Sequence, residues 1–217
     1  MAETVVTNRV FKGSGYIFVR KHSDEKKFPA VADMSNMTAE EATAIDKFIR
    51  ELAVAENELG YLKNGITITE TLTPLEDQDD MGRLKVSDIQ SETGNAAFAL
   101  FNANAPVIEK IHPLAKSAKN EESGIKLTNL GGIANKDDST YDIVFVHPDT
   151  EEGDICLYTI GKNISGLTIQ FQPSQVTPLS CTYAAQAIDT TGVLYKITEH
   201  EKGKPVYEPG KLTSGGA

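Results

Sequence analysis

The sequence lacks tryptophan altogether, and aromatic residues make up only 7% of its 217 positions. Proteins that bind single-stranded nucleic acid or carbohydrate commonly use exposed aromatic platforms, so this scarcity argues against both classes. Cysteine is almost absent as well. Cys156 and Cys181 lie far apart and have no metal-ligand spacing. Two cysteines are too few for a disulfide-stapled fold, and we expect both thiols to be buried.

Basic residues are in deficit, with 21 Lys and Arg against 31 Asp and Glu and a net charge of -10. Tight binding to DNA or RNA relies on cations that displace counterions from the phosphates, so the balance argues against that class. The same balance does not argue against a protein surface along which DNA moves without being bound, because such a surface would lack phosphate-binding cations. No window approaches the ~20 apolar residues of a membrane span. The first residues show no signal-peptide pattern, so we expect synthesis in a cytoplasm and no membrane partner.

Residues that could carry catalysis occur only in isolation. The four histidines form no HxH or HExxH grouping: His22, His112, His147 and His200. A histidine outside any motif is more often a surface or turn residue than a ligand or catalyst. There is also no GxSxG elbow and no Walker lysine. We therefore expect a protein that is not an enzyme and binds no cofactor.

One acidic segment imitates a calcium site. Asp77, Asp79 and Asp88 fall at the first, third and twelfth positions of a possible EF-hand loop, with Gly82 at the sixth. Met81 at the fifth position cannot supply an oxygen ligand, and no periodic helix flanks the segment. We therefore interpret it as a solvated acidic loop and expect no metal.

Short blocks of alternating apolar and polar residues recur along the chain and are typical of half-buried strands. The blocks predict strands at residues 16–20, 125–130, 141–147, 155–160, 167–172, 179–187 and 193–198. One long helix is also predicted. Thr38 and Glu41 form a capping box, and apolar residues then recur at helical spacing from Ala44 to Ala55. We expect a mainly-β fold, a β-sandwich or open barrel of two packed antiparallel sheets, with one flanking helix.

The segment after the helix contains several turn signals. Asn64-Gly65 predicts a tight hairpin turn between two short strands. A polar loop is predicted over residues 73–82, and the extended stretch that follows it, up to Phe101, is interrupted at residues 93–95.

Proline and composition mark the remaining boundaries. Pro106 predicts a short helix that ends before Pro113. The last residues mix Gly, Pro, Lys and Ser, which is typical of a mobile segment. We expect a single domain over residues 1–200 and a flexible arm over residues 201–217.

The order of these elements resembles a known family. Residues 59–68 contain a Leu-Gly-Tyr run, a turn glycine and a Thr-rich strand, followed by an acidic loop at residues 75–82. Ser91-Glu92-Thr93, a short helix at residues 106–110 and an Asp-x-x-Gly turn at residues 189–192 come next. Over about residues 16–198, this succession resembles the major tail tube proteins of long-tailed (siphovirus) bacteriophages.

That resemblance implies a virion structural protein. Such subunits form hexameric rings that stack into the hollow tail tube through which DNA is ejected. Assembly would take place in the host cytoplasm, with other tail proteins such as the tape measure and terminator as partners, and DNA would pass through the lumen without specific binding. By analogy, residues 69–85 make the ring-to-ring contact and the C-terminal arm makes a second one. The candidate contact residues are Thr73, Leu75, Glu76, Asp77, Asp79, Asp80, Met81 and Arg83.

Two other interpretations remain open from the sequence. The chain could be the tube subunit of a contractile tail or injection device, which would share the fold and differ chiefly in a sheath partner. It could instead be a β-sandwich binding module, although seven Tyr and no Trp make an aromatic binding platform improbable. An enzyme ranks last because no recognisable site is present.

Overall fold

The structure, a computed structural model, describes residues 15–78, 85–101, 105–169 and 178–208. The elements in chain order are β1 (Tyr16–Lys21), α1 (Ala39–Leu52), β2 (Glu58–Gln78), β3 (Lys85–Leu100), α2 (Ala105–Ile111), β4 (Ala115–Lys119), β5 (Lys126–Leu130), a 3-10 turn (Ile133–Asn135), β6 (Tyr141–His147), β7 (Ile155–Asn163), β8 (Leu179–Gln186) and β9 (Tyr195–Glu199). The predicted mainly-β architecture, with antiparallel sheets and a flanking helix, is confirmed.

The main sheet closes on itself. Its strands follow the order β6-β1-β2-β3-β8-β7, and β7 pairs back with β6 from Tyr141 opposite Gly161 to His147 opposite Ile155. β9 pairs with the first half of β7, and β8 pairs with the second half. The strands therefore enclose an interior, while β4 and β5 form a separate two-stranded sheet.

Two cores lie on opposite faces of this sheet. Ile17 and Val19 belong to an interior cluster shared with β2, β3, β6 and β8. Phe18 belongs to a second cluster, between the outer face of the sheet and α1. Because successive residues of a strand point to opposite faces, the three consecutive buried residues of β1 require a core on each side.

Helix α1 begins at the predicted capping box. The Thr38 hydroxyl accepts a hydrogen bond from the Glu41 backbone N–H at 3.2 Å, and the Glu41 carboxylate accepts one from the Thr38 N–H at 2.8 Å. Such a cap stabilises a helix by about 1 kcal/mol. The buried face of the helix packs on the outer core through Ile45, Phe48, Ile49 and Leu52.

Helix α2, predicted from Pro106, packs where β2 begins and β3 ends. Val107 and Ile111 enter the interior cluster, and the Tyr183 hydroxyl donates a hydrogen bond to the Lys110 carbonyl at 2.6 Å. Both cysteines are buried, as predicted. Burial raises the pKa of each thiol to about 12, so neither is a reactive thiolate at neutral pH.

The predicted turn at Asn64-Gly65 is wrong. Both residues have positive φ, 65° and 71°, but they form a bulge inside the continuous strand β2. The ladder runs from Lys63 opposite Ala99 to Ile66 opposite Phe98, so two residues of β2 have no counterpart on β3. The positive φ values that would favour a hairpin turn in isolation are thus accommodated as a bulge while β2 stays paired with β3.

Two further expectations in this region are wrong. Residues 73–78 of the predicted loop continue β2, and the predicted break at residues 93–95 lies inside β3. Residues 79–82 of the loop lie outside the described residues. Elsewhere, β4 was not predicted, and residues 167–169 of the strand predicted over 167–172 are not in a strand; residues 170–172 lie outside the described part.

The described part of the predicted C-terminal arm, residues 201–208, contacts the domain. Over residues 201–208 the chain packs on the domain: Val206 is buried, and its N–H donates to the Asp154 carboxylate at 2.7 Å. The Tyr207 ring packs edge-on against Phe18, with centroids 4.8 Å apart. This segment is therefore part of the domain.

Candidate functional site

The most exposed regular feature is the outer part of the β2–β3 hairpin. Residues 69–78 of β2 pair with residues 85–95 of β3, one strand against the other. β1 pairs with β2 only at residues 58–61, and β8 pairs with β3 only from Asn95 onward. We call residues 69–78 and 85–94 the hairpin extension. Among the described residues, its two outer backbone edges have no strand partner.

The hairpin extension projects well beyond the barrel. Ten residues of β-strand span about 30 Å at ~3.3 Å per residue. The radius of gyration of a compact 217-residue chain is about 17 Å. The extension is therefore long enough to reach a neighbouring molecule.

One face of the extension is lined by hydroxyl groups. Thr69, Thr71 and Thr73 alternate along β2, and Thr93 and Ser91 stand directly opposite Thr71 and Thr73. This face continues the outer face of the barrel, where Ala97 lies opposite Thr67.

The other face of the extension combines acidic and apolar side chains. Glu70 and Leu72 share a side of β2, and Glu92 lies directly opposite Leu72. Ile89, opposite Pro74, lies farther toward the tip on this face, whereas Leu75 continues the side of β2 that carries the threonines. All five side chains are exposed, and Leu72 is 48% exposed. Exposed apolar side chains between carboxylates form a surface that a partner with basic and apolar groups can bind.

The structure places the predicted contact residues in two groups. Thr73, Leu75 and Glu76 lie on β2 within the extension and are exposed, and Asp77 belongs to the same strand. Asp79, Asp80, Met81 and Arg83 lie outside the described residues. The first group was assigned to a loop, whereas the structure gives it the fixed register of a strand.

No sequence pattern predicts the contact at the base of the extension. The Tyr195 hydroxyl donates to the Thr69 carbonyl at 3.3 Å, and a Cβ on Gly94 would collide with that hydroxyl. Burial, with Glu70 and Glu92 nearby, raises the pKa of Tyr195. Tyr195 therefore stays protonated and packs into the notch that Gly94 leaves in β3.

A buried ion-pair network lies in the barrel wall. Asp142 is fully buried, and its Oδ2 accepts from Arg20 Nη2 at 2.8 Å. Its Oδ1 accepts from the Tyr158 hydroxyl at 2.9 Å and lies 2.6 Å from His22 Nδ1. A carboxylate–histidine pair is also the orienting half of a catalytic triad. In the described part of the chain, however, no hydroxyl or thiol forms a hydrogen bond with the His22 ring, and the network holds β1, β6 and β7 together.

Within the described ranges, no group of three or more His, Cys, Asp or Glu side chains is arranged to hold a metal ion. No helix in those ranges is long and apolar enough to span a bilayer. The chain matches no protein-family model and no curated protein. Its function is therefore inferred from the fold and its exposed surfaces.

Proposed function

We propose that this chain is the subunit of a phage-type tail tube, in which copies close into hexameric rings and the rings stack into a hollow tube for DNA. The observation that carries the proposal is the hairpin extension, on whose two outer sides no strand of the described residues pairs. An exposed strand edge is a template for pairing with another chain. In a monomer, exposed edges of this length would promote non-specific aggregation. In a polymer, the neighbouring subunits can cover them.

Two properties of the extension support a contact along the tube axis. It projects from one end of the barrel, so it reaches a copy placed above or below the subunit. It is also acidic: between Thr69 and Asn95 the sequence has seven Asp and Glu and two Lys and Arg. An acidic surface repels the same surface on a second copy and attracts a surface of opposite charge. The contact between copies therefore joins two different surfaces, and such a head-to-tail contact can repeat without closing.

The outer face of β2, β3 and β8 supports the role of a lumen wall. α1 covers β1, β6 and β7, so this face is the uncovered side of the barrel. Its outward positions are mostly small and uncharged, with Lys63 as an exception: Thr67, Asn95, Ala97, Ala99, Ser180, Thr182 and Ala184. A polar wall with so few cations gives phosphates little to bind, so DNA can pass without being held.

Purified protein tests the proposal directly. Analytical ultracentrifugation and negative-stain electron microscopy should show rings or tubes about 100 Å wide, the diameter expected if about six domains of this size close a ring. A protein that stays monomeric at every concentration would contradict the proposal.

A shortened hairpin tests the role of the extension. Thr71 and Thr93 are directly paired, so residues 72–92 can be replaced by an Asn-Gly turn that leaves the barrel ladder intact. We expect this variant to keep its circular dichroism spectrum and to form no tubes. Normal tubes from the shortened variant would show that the extension is not the axial contact.

A further inference from the structure

The small β4–β5 sheet takes no part in the barrel. It packs on α2, where the Glu109 carboxylate accepts from the Ser117 N–H. Its other face is uncovered: Leu127 is 59% exposed, and Ile125, just before β5, is 66% exposed. Exposed branched apolar residues on a two-stranded sheet indicate a surface that another molecule covers.

The charge of this sheet is opposite to that of the hairpin extension. Its two strands carry Lys116, Lys119 and Lys126 and no acidic residue. Lys119 stands directly opposite Lys126, a like-charged cross-strand pair that is unfavourable on its own. Lys119 reaches Glu121 in the connecting turn at 2.5 Å, whereas Lys116 and Lys126 form no ion pair with any described residue. The sheet therefore favours an acidic partner.

The two surfaces also match in their arrangement of side chains. On the outer face of the sheet, Lys116 and Leu127 lie on adjacent strands of the same side. On the extension, Leu72 lies between Glu70 and Glu92. Lys116 is the charged residue on the side of Leu127, since Lys119 and Lys126 alternate to the other face. Leucine can therefore meet leucine while a carboxylate meets the Lys116 ammonium group.

The two surfaces lie at opposite ends of the molecule. α2 and the β4–β5 sheet follow the end of β3, beside the Leu62–Leu100 pair, whereas Leu75 and Asp88 pair near the tip of the extension. The 13 residues from Leu62 to Leu75 correspond to about 40 Å of strand. Contact between the surfaces therefore joins two molecules head to tail.

We propose that the β4–β5 sheet of one copy is the docking site for the hairpin extension of the next copy. The proposal rests on the tube function in taking the partner to be a second copy of this chain, and it identifies the receiving surface for the axial contact. Repetition of this contact in one direction extends a stack of rings.

Paired charge reversals test the contact. The first variant, Lys116→Glu/Lys126→Glu, makes the sheet acidic, and the second, Glu70→Lys/Glu92→Lys, places two cations beside Leu72. Each variant alone should lose stacking, with an association constant at least about tenfold lower, because like charges then face each other at the contact. An equimolar mixture of the two should stack again, because the charges beside Leu72 and beside Leu127 then have opposite signs.

The matched control is Lys47→Glu/Lys202→Glu. It changes the net charge by the same amount as the first variant, at two exposed positions away from both surfaces. We expect it to stack like the wild type, as seen by sedimentation velocity and electron microscopy. Normal stacking of either reversed variant, or failure of the mixture to stack, overturns the docking proposal.

The outcomes separate this proposal from the tube function. Wild-type tubes together with a stacking Lys116→Glu/Lys126→Glu variant refute the docking site alone. Charge-dependent head-to-tail association without rings or tubes refutes the tube function alone. Complete absence of association refutes both.

Cross-linking provides a measurement that does not depend on tube formation. Both native thiols are buried, so cysteines introduced at Leu72 and Leu127 would be the accessible ones. A short bis-maleimide should join Leu72→Cys/Leu127→Cys chains into a ladder of oligomers. It should not join Leu72→Cys/Ile197→Cys chains, in which the second thiol lies on β9. Equal ladders from both variants would contradict the docking site.

Discussion

Replacement of Asp142 by alanine is expected to destabilise the barrel strongly. The change removes a fully buried carboxylate that accepts hydrogen bonds from Arg20 and Tyr158 and contacts His22. Breaking a buried ion pair from one side costs about 3–5 kcal/mol. The side chains of Arg20 and His22 are 18% and 19% exposed. Water can therefore replace some of the hydrogen bonds that these two side chains lose when the Asp142 carboxylate is removed. We therefore expect the free energy of unfolding to fall by about 3 kcal/mol.

A double-mutant cycle separates the ion pair from the loss of packing. Arg20→Met keeps the length of the side chain and removes its charge. The double variant Arg20→Met/Asp142→Ala should be more stable than the sum of the single effects by at least about 1.5 kcal/mol. Asp189→Ala is the control, because its pair with Lys196 lies at the surface and should be worth less than about 1 kcal/mol.

Urea unfolding followed by far-UV circular dichroism and tyrosine fluorescence measures these changes, since the chain has no tryptophan. The midpoint should shift while the slope with urea stays constant, because the surface exposed on unfolding does not change. An Asp142→Ala variant within about 1 kcal/mol of the wild type, or a cycle with no coupling, would refute the assigned role of the network.

Two further predictions concern the base of the extension and the end of β9. Gly94→Ala should lower the free energy of unfolding by about 1–3 kcal/mol, because the new Cβ collides with the Tyr195 hydroxyl. Gly166→Ala, where a Cβ meets no atom within 4 Å, should leave the melting temperature nearly unchanged, and equal effects of the two changes would argue against the notch. Burial lowers the pKa of His200, so below the ordinary value of 6.5 the folded chain binds fewer protons than the unfolded chain. The resulting stability is complete above pH 6.5 and is lost as the pH falls through the lowered pKa; melting curves at pH 7.5 and 5.5 should show this loss, and His200→Asn should reduce it.

Local patterns were sufficient to predict the elements that pack on the two cores. β6 was predicted with its observed bounds, and α1 was predicted from its capping box and apolar spacing. In these elements the apolar residues pack on a core that the chain itself forms. The spacing of apolar residues in the sequence therefore matches the spacing of buried positions in the helix or strand. β4 was missed because its sequence, Ala-Lys-Ser-Ala-Lys, has little apolar alternation to detect.

The errors concentrate in β2 and β3 and have a common physical cause. Asn64-Gly65 and the polar residues around Thr73 have the local chemistry of turns, yet β3 supplies backbone partners about 20 to 35 residues away that keep β2 extended. A strand is predicted from alternating apolar residues that the domain can bury. The extension has few such residues, because it does not pack on either core of the domain. A strand that buries so little within its own chain is held in place by the ladder it forms with its partner strand. Composition alone therefore assigned residues 73–78 to a loop, although they continue β2.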